Sequence, residues 1–221
     1  MVMGRFEGIV RQDSYASSPE DTYKPVRLNP RGEMIVPDWM TQLALDGRVF
    51  NSSTPVQETA LNLNTTARGT DNISPAILLD VPAGTTVIPL EVIMAAIAGT
   101  AEDVTVTINT DDGTRFSTGG TSRSIVNARK DDPGGSLCTF YTEPTAIANV
   151  DDDTIWAKLI DGGQIATPTT DNPAVFWSAK FFTPPILIGP ASLLIFVTST
   201  TDDHTWQYSV KWAEMPTTDI T

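Results

Sequence analysis

A chain of 221 residues is long enough to bury a sizeable hydrophobic core without disulfide bonds or structural metals. Its composition, 40% hydrophobic and only 19% charged with many Thr, Ser, Asn, Gly and Pro residues, is typical of short strands joined by turns. The net charge is −13, and residues 76–221 hold 18 acidic but only 7 basic side chains, so this part should repel phosphate backbones and not bind nucleic acid.

The N-terminal residues carry no sign of a secretory signal. Met1–Arg11 lacks an apolar segment of the required length. The most apolar run of the chain, Ser192–Val197, is far too short to cross a membrane. We therefore expect a protein that is made in a cytoplasm and does not associate with membranes.

Residues 1–75 differ from the rest because their apolar residues are sparse and isolated. Such a segment cannot bury enough surface to fold alone, and we predict an extended N-terminal arm that lies on its own body, on a neighbouring subunit or on a shell. One short helical turn is predicted near residues 37–47, where Asp38 caps the N-terminus and Gly47 closes the C-terminus. Its apolar side would consist of Trp39, Leu43 and Leu45.

From Ala76 onward the pattern changes to strands. Residues 104–108 alternate, with Val104, Val106 and Ile108 on one face. Pro89 inside the apolar run 86–97 predicts an edge position or a bulge. Turns are predicted at 82–84 and 161–163, and a hairpin turn at 111–113. Further strands are predicted at residues 76–81, 114–118, 122–128, 136–142, 144–150 and 154–160.

The last third is the most strongly β. Strands are predicted at residues 174–183, 186–188, 192–198 and 205–212. In the last of these, Trp206, Tyr208, Val210 and Trp212 should share one face. Eight to ten strands without a long helix predict an all-β fold over residues 76–221, an antiparallel β-sandwich and specifically a jelly roll.

The search for catalytic or redox chemistry is mostly negative. His204 is the single histidine and lies in a predicted turn, which excludes sites with two histidines and leaves one candidate for a Ser–His pair. The nucleophile-elbow, zinc-protease and phosphate-loop motifs are missing. Cys138 is the single cysteine, so no disulfide can form within the chain, and we predict a buried core residue. We expect no catalytic residues and no cofactor.

Acidic clusters at predicted turns are the one hint of a metal site. Calcium takes six to eight oxygen ligands, and the best candidate cluster is Asp151, Asp152 and Asp153. The spacing of a calcium-binding EF-hand loop is absent. Turn preference and solubility explain the same clusters without a metal, so our expectation is that no metal is bound.

Four stretches resemble small virion structural proteins of tailed bacteriophages, the kind that accompany the major capsid protein. They are Val26–Glu33, Leu43–Phe50, Val81–Glu91 and Ser209–Pro216. The resemblance implies a β-sandwich subunit, often trimeric, bound to a capsid lattice in the virion, and it carries no catalytic residues to transfer.

The sequence therefore leads to a non-enzymatic hypothesis. We expect a capsid cement or decoration protein, a homotrimer that binds the major capsid protein or other virion proteins. The alternative is a carbohydrate-binding sandwich module associated with a tail or fibre. The expected interface residues are apolar anchors and arginines of the arm: Trp39, Leu43, Leu45, Phe50, Arg27 and Arg31.

Overall fold

A computed structural model shows two antiparallel β-sheets packed face to face. The structure describes residues 38–54, 61–62, 74–98, 102–131, 134–148, 154–165, 174–199 and 205–219. Every strand pair in this part of the chain is antiparallel. The predicted all-β class and antiparallel sandwich are confirmed.

The elements run along the chain as follows. The helical elements are α1 (Trp39–Leu45) and a terminal 3-10 turn (Thr217–Asp219). The strands up to the middle of the chain are β1 (Val49–Ser53), β2 (Leu61–Asn62), β3 (Ile77–Val81), β4 (Thr85–Ala98), β5 (Glu102–Asp111), β6 (Phe116–Thr118), β7 (Thr121–Ser122) and β8 (Val126–Asn127). The remaining strands are β9 (Thr139–Thr142), β10 (Ala146–Ile147), β11 (Thr154–Ile165), β12 (Ala174–Ser178), β13 (Leu187–Ile188), β14 (Ala191–Ser199) and β15 (Thr205–Pro216).

The strand order of the two sheets interleaves distant parts of the chain. The first sheet has the order β12-β4-β15-β1-β8, with β13 also paired to β4 and β2 to β15. The second sheet has the order β11-β5-β14-β3-β9-β7. Strands β6 and β10 form a separate two-stranded sheet. The two sheets each end on one side at a strand from the middle of the chain, β12 in the first sheet and β11 in the second.

The core lies between the sheets and follows the alternation in the sequence. Trp206, Tyr208, Val210 and Trp212 of β15 are all buried, as are Val104, Val106 and Ile108 of β5. Both predicted faces are therefore confirmed. Phe140 of β9 stacks on both Tyr208 and Trp212, with ring centroids 5.7 and 5.8 Å apart, and this joins the second sheet to the first.

The outer face of the second sheet is also covered. Leu78, Leu194 and Phe196 point away from the main core and pack with Ile147 and partly buried aromatic residues from the segment between β5 and β11. Two of those aromatic rings, Phe116 and Tyr141, stack with centroids 3.8 Å apart. Residues that link two neighbouring strands thus form a cap over this sheet.

The body begins earlier than the predicted boundary at residue 75. Strand β1 pairs with β15 over residues 49–53, and Leu43 of α1 is buried with Val49, Leu90 and Met215. Residues 38–54 therefore belong to the sandwich and not to an arm. The predicted capped turn exists, since the Asp38 carboxylate accepts hydrogen bonds from the backbone N–H groups of Met40 and Thr41. Residues 1–37 lie outside the described part of the chain.

Several local predictions need correction. The turn at 111–113 does not make a hairpin, because β5 pairs with β11 and β14 and not with β6. Residues 161–163 lie within β11, where the register shifts between Ile160 and Gly163, so the expected turn is a strand irregularity. The strands expected at 122–128 and 144–150 are reduced to two-residue pieces, β7, β8 and β10.

Pro89 lies at a bulge, as predicted. The pairing of β4 with β15 shifts register between Lys211 and Trp212, which leaves Leu90 as the extra residue. On its other side β4 pairs with β13 at residues 86–87 and with β12 at 91–95. Pro89 falls between these two pairings, where a missing N–H breaks no ladder bond.

Two glycines with positive φ give a matched pair for testing the cap. At Gly120 (φ 70°) an added Cβ would lie 2.5 Å from the carbonyl oxygen of Thr142, whereas at Gly84 (φ 82°) it would meet nothing within 4 Å. We expect Gly84→Ala to cost about 1–2 kcal/mol for the backbone conformation alone. Gly120→Ala should cost roughly 1–3 kcal/mol more because of the clash. Urea denaturation measures both, and equal losses would contradict the described packing of the β7 loop.

Candidate interaction surface

Exposed aromatic side chains gather where the edges of the two sheets face each other. Strand β11 ends the second sheet and β12 ends the first, and the two strands are in contact. We define the edge surface by four side chains here: Trp156, Phe176, Phe181 and Phe182, which are 44%, 48%, 72% and 57% exposed. Large aromatic side chains this exposed are unusual on a surface that only meets water.

The positions of these rings follow from the local backbone. Along β12 the side chains alternate, so Trp177 enters the core while Phe176 points outward. The strand ends at Ser178, whose carbonyl oxygen accepts hydrogen bonds from the N–H groups of Phe181 and Phe182, both at 3.1 Å. This tight turn carries the Phe181 ring back to the Phe176 ring in an edge-to-face contact, with centroids 6.2 Å apart.

Trp156 reaches the same place through an irregularity in β11. Ile155 pairs with Asn109 and Ala157 with Ile108, so Trp156 is an extra residue in the strand. A groove of about 460 Å³ lies between the strands and is lined by Trp156, Phe176, Trp177 and Phe182 among others. The groove is open and mainly apolar, with few polar side chains to fix the orientation of a small ligand.

The charge of the edge surface is opposite to that of the chain. Residues 154–160 and 174–190, which build it, contain no Asp or Glu although the chain has 27 of them. They contain two exposed cations, Lys158 and Lys180. The edge surface is thus an apolar and weakly basic area on a strongly acidic protein.

The exposed apolar area is of the size that interfaces need. A Phe or Trp side chain has about 150–250 Å² to bury, so the four exposed fractions leave roughly 450 Å² of ring surface. A standard interface buries about 800 Å² per partner, a little over half of it apolar. Three further isoleucines between 42% and 56% exposed, Ile155, Ile186 and Ile188, lie on the same strand or just beyond the turn.

A second groove, of about 420 Å³, lies near the start of β11 beside Ile186 and Ile188. Its acidic wall includes Asp111 and Asp112. The buried Asp111 carboxylate pairs with the Arg115 guanidinium, which also lies 3.5 Å from the exposed Asp112 carboxylate. Among the residues the structure describes, no cluster of three His, Cys, Asp or Glu side chains could hold a metal ion.

Two buried carboxylates hold loops against the sandwich. Asp80 accepts hydrogen bonds at 2.9 Å from the N–H groups of Arg115 and Phe116, and burial raises the pKa of this carboxyl above its usual value. Glu214 accepts hydrogen bonds from Trp212 Nε1 at 2.7 Å and Leu137 N at 2.9 Å, and also from Ser136 Oγ. Both groups are occupied by structural hydrogen bonds.

The structure exposes some of the predicted interface residues and buries others. Trp39 and Leu45 are exposed, at 47% and 59%, and remain available to a partner. Leu43 and Phe50 are buried in the chain's own core, so their assignment as interface residues is wrong. Arg27, Arg31, His204 and the calcium candidates Asp151, Asp152 and Asp153 lie outside the described residues.

Sequence reasoning missed the edge surface because it extended one strand too far. Residues 174–183 were expected to be a single strand, in which Phe181 and Phe182 would point to opposite faces. The strand ends at Ser178, and both rings are exposed. The available signal was the paired phenylalanines directly before Pro184-Pro185, because prolines end a strand's ladder.

No protein-family model and no curated protein matches the chain. No helix within the described ranges is both long and apolar enough to span a membrane.

The reactivity of the Cys138 thiol tests its burial beside Glu214. The thiol is buried, as predicted, and burial followed by the nearby Glu214 carboxylate raises its pKa. We expect the folded protein not to react with a disulfide reagent such as DTNB at mildly alkaline pH, since the thiolate is the reactive form. In guanidinium one thiol should react. Rapid reaction of the folded protein would contradict the described burial.

Proposed function

We propose that this chain is a non-enzymatic virion structural protein, a capsid cement or decoration protein that binds the shell and stabilises it through oligomerisation. The observation that carries the proposal is the nested pairing of the strands. The edge surface gives it a second support, because an open apolar area suits a protein partner better than a small ligand.

The nested pairing involves eight strands. In chain order they are β1, β3, β4, β5, β11, β12, β14 and β15. The first pairs with the last, the second with the second-last, the third with the third-last and the fourth with the fourth-last. They divide into β1-β15-β4-β12 in one sheet and β3-β14-β5-β11 in the other.

This order supports a jelly roll, the specific architecture expected from the sequence. A jelly roll is a double sheet of eight strands built from two Greek keys, and it is common in viral capsid proteins and in lectins. The argument from fold to function is an analogy, because one fold serves many functions. Between a capsid protein and a lectin, we favour the virion role because of the bacteriophage resemblance of the sequence.

The non-enzymatic part of the proposal rests on chemistry. The chain has one histidine and one cysteine, and burial raises the pKa of the Cys138 thiol and so lowers its reactivity. The described carboxyl group whose pKa is raised, Asp80, bonds to two backbone N–H groups and fixes a loop. A surface protein present in many copies gains from such an acidic body, because a high net charge favours solubility.

Attachment to the shell is assigned to residues 1–37, which include Arg27 and Arg31. The structure sharpens the truncation that tests this. Removing residues 1–50 would delete α1 and the start of β1, with the buried Leu43 and Phe50, and would damage the body. Removing residues 1–37 ends just before the helix cap Asp38 and leaves the described body intact.

The proposed function predicts co-purification of the chain with virus particles. We expect an antibody against the purified protein to detect it in the particle band of a density gradient. A recombinant chain lacking residues 1–37 should keep its circular dichroism spectrum but lose binding to particles that lack the protein, whereas the full-length chain binds. Absence of the chain from the particle band would refute the virion role. Unchanged binding of the truncated chain would refute only the assignment of attachment to residues 1–37.

One observation favours a second candidate, the carbohydrate-binding module. Trp156 and Phe176 present exposed rings beside an open groove, and jelly rolls include lectins. For a sugar-binding protein, Trp156→Ala should lower glycan-array binding by about tenfold, the value of one aromatic stacking contact. Trp39→Ala is the matched control, since Trp39 is equally exposed on α1. Under our preferred function no glycan signal depends on Trp156.

A further inference from the structure

We propose that the edge surface is where copies of this chain contact one another. This inference rests on the proposed function, to which it adds the residues and the chemistry of the oligomer contact. It replaces Leu43 and Phe50, which are buried, with Trp156, Phe176, Phe181 and Phe182, which are exposed.

The size of the surface supports a second copy as the occupant. Roughly 450 Å² of exposed ring surface matches the apolar share of one side of a standard interface. The largest apolar patch on an ordinary monomer is about 300–600 Å² and is often functional, and the four exposed rings alone reach that range. Aromatic residues are also the residues that most often dominate binding energies.

The charge pattern suits a contact between the edge surfaces of two copies. Two chains of net charge −13 repel each other, and the repulsion is smallest where neither contributes carboxylates. The segments that build the edge surface contain no Asp or Glu, and they place Lys158 and Lys180 at an otherwise acidic body. A second copy that contributes its own edge surface brings these carboxylate-free segments together.

The contact is made through side chains and not by adding a strand to β11. An edge strand can template pairing with another chain, and bulges twist it out of the required geometry. The pairing of β11 with β5 shifts register three times, between Ile155 and Ala157, Lys158 and Ile160, and Ile160 and Gly163. These irregularities disfavour a continuous intermolecular sheet. The first of them, between Ile155 and Ala157, leaves the Trp156 ring exposed on the edge surface.

The test is the oligomeric state of the full-length protein, measured by size-exclusion chromatography with light scattering over a wide concentration range. The wild-type chain should have a mass that is a multiple of 23.8 kDa. The double variant Phe181→Ser/Phe182→Ser should raise the dissociation constant at least about 100-fold, as expected when interface aromatics are truncated. Both side chains are exposed, so the circular dichroism spectrum should not change.

Two further variants keep the test decisive. Thr183→Glu introduces a carboxylate at an exposed position of the groove and should also weaken association. Leu137→Ser removes an equally exposed apolar side chain, 69% exposed, from a different loop and should leave association unchanged. A wild-type chain that is monomeric at every concentration overturns the inference. An oligomer that remains associated in both edge variants also overturns it, as does one that dissociates in the Leu137 variant. None of these outcomes changes whether the chain is found in virus particles, so the virion role is tested separately. A chain that is monomeric at every concentration would also contradict the oligomerisation part of the proposed function, whereas the edge variants test only the location of the contact.

Discussion

The aromatic layer between the two sheets is the contact on which the sandwich depends. Phe140 comes from the second sheet, and Tyr208 and Trp212 come from β15 in the first. Strand β15 lies inside its sheet between β4 and β1, so these rings tie together strands from both ends of the chain. With a single cysteine and no disulfide, this burial has to supply the stability that small secreted domains take from cross-links.

Two buried carboxylates then attach the irregular segments to that frame. Each accepts hydrogen bonds from backbone N–H groups of the long connection between β5 and β11. Asp80 fixes the start of the cap at Arg115 and Phe116. Glu214, near the C-terminal end of β15, fixes residues 136–137. Burial disfavours the charge on Asp80, and its backbone hydrogen bonds partly offset that cost. The long connection between β5 and β11 is thereby held as part of the body.

The fold class could be read from the sequence because period-two alternation has a direct physical meaning. The buried faces of β5 and β15 follow from residues 104–108 and 205–212, since alternate side chains of a strand point to opposite faces. Strand ends and partners could not be read in this way. Asp111-Asp112-Gly113 favours a turn, but whether the next strand pairs back depends on long-range packing, and here β5 pairs with β14 and β11 instead. Likewise, the local pattern could not show that β1 pairs with β15, which lies more than 150 residues away along the chain.

The candidate site was harder to anticipate than the fold for the same reason. Apolar residues such as Leu43 and Phe181 look equivalent in sequence, and only tertiary packing buries the first and exposes the second. Composition did carry part of the answer. The segments that build the edge surface are free of acidic residues in a chain where such residues are abundant, and the amino-acid sequence alone displays that local contrast.

That contrast also bears on how molecules of this protein meet in solution. When two like-charged bodies approach at random, most mutual orientations bring carboxylates together and are pushed apart before side chains touch. Repulsion between carboxylates should be weaker where residues 154–160 and 174–190 of two copies face each other, because these segments contain no Asp or Glu. For the self-association that we propose, the acidic remainder of the surface would reduce the number of unproductive collisions without contributing to the contact itself.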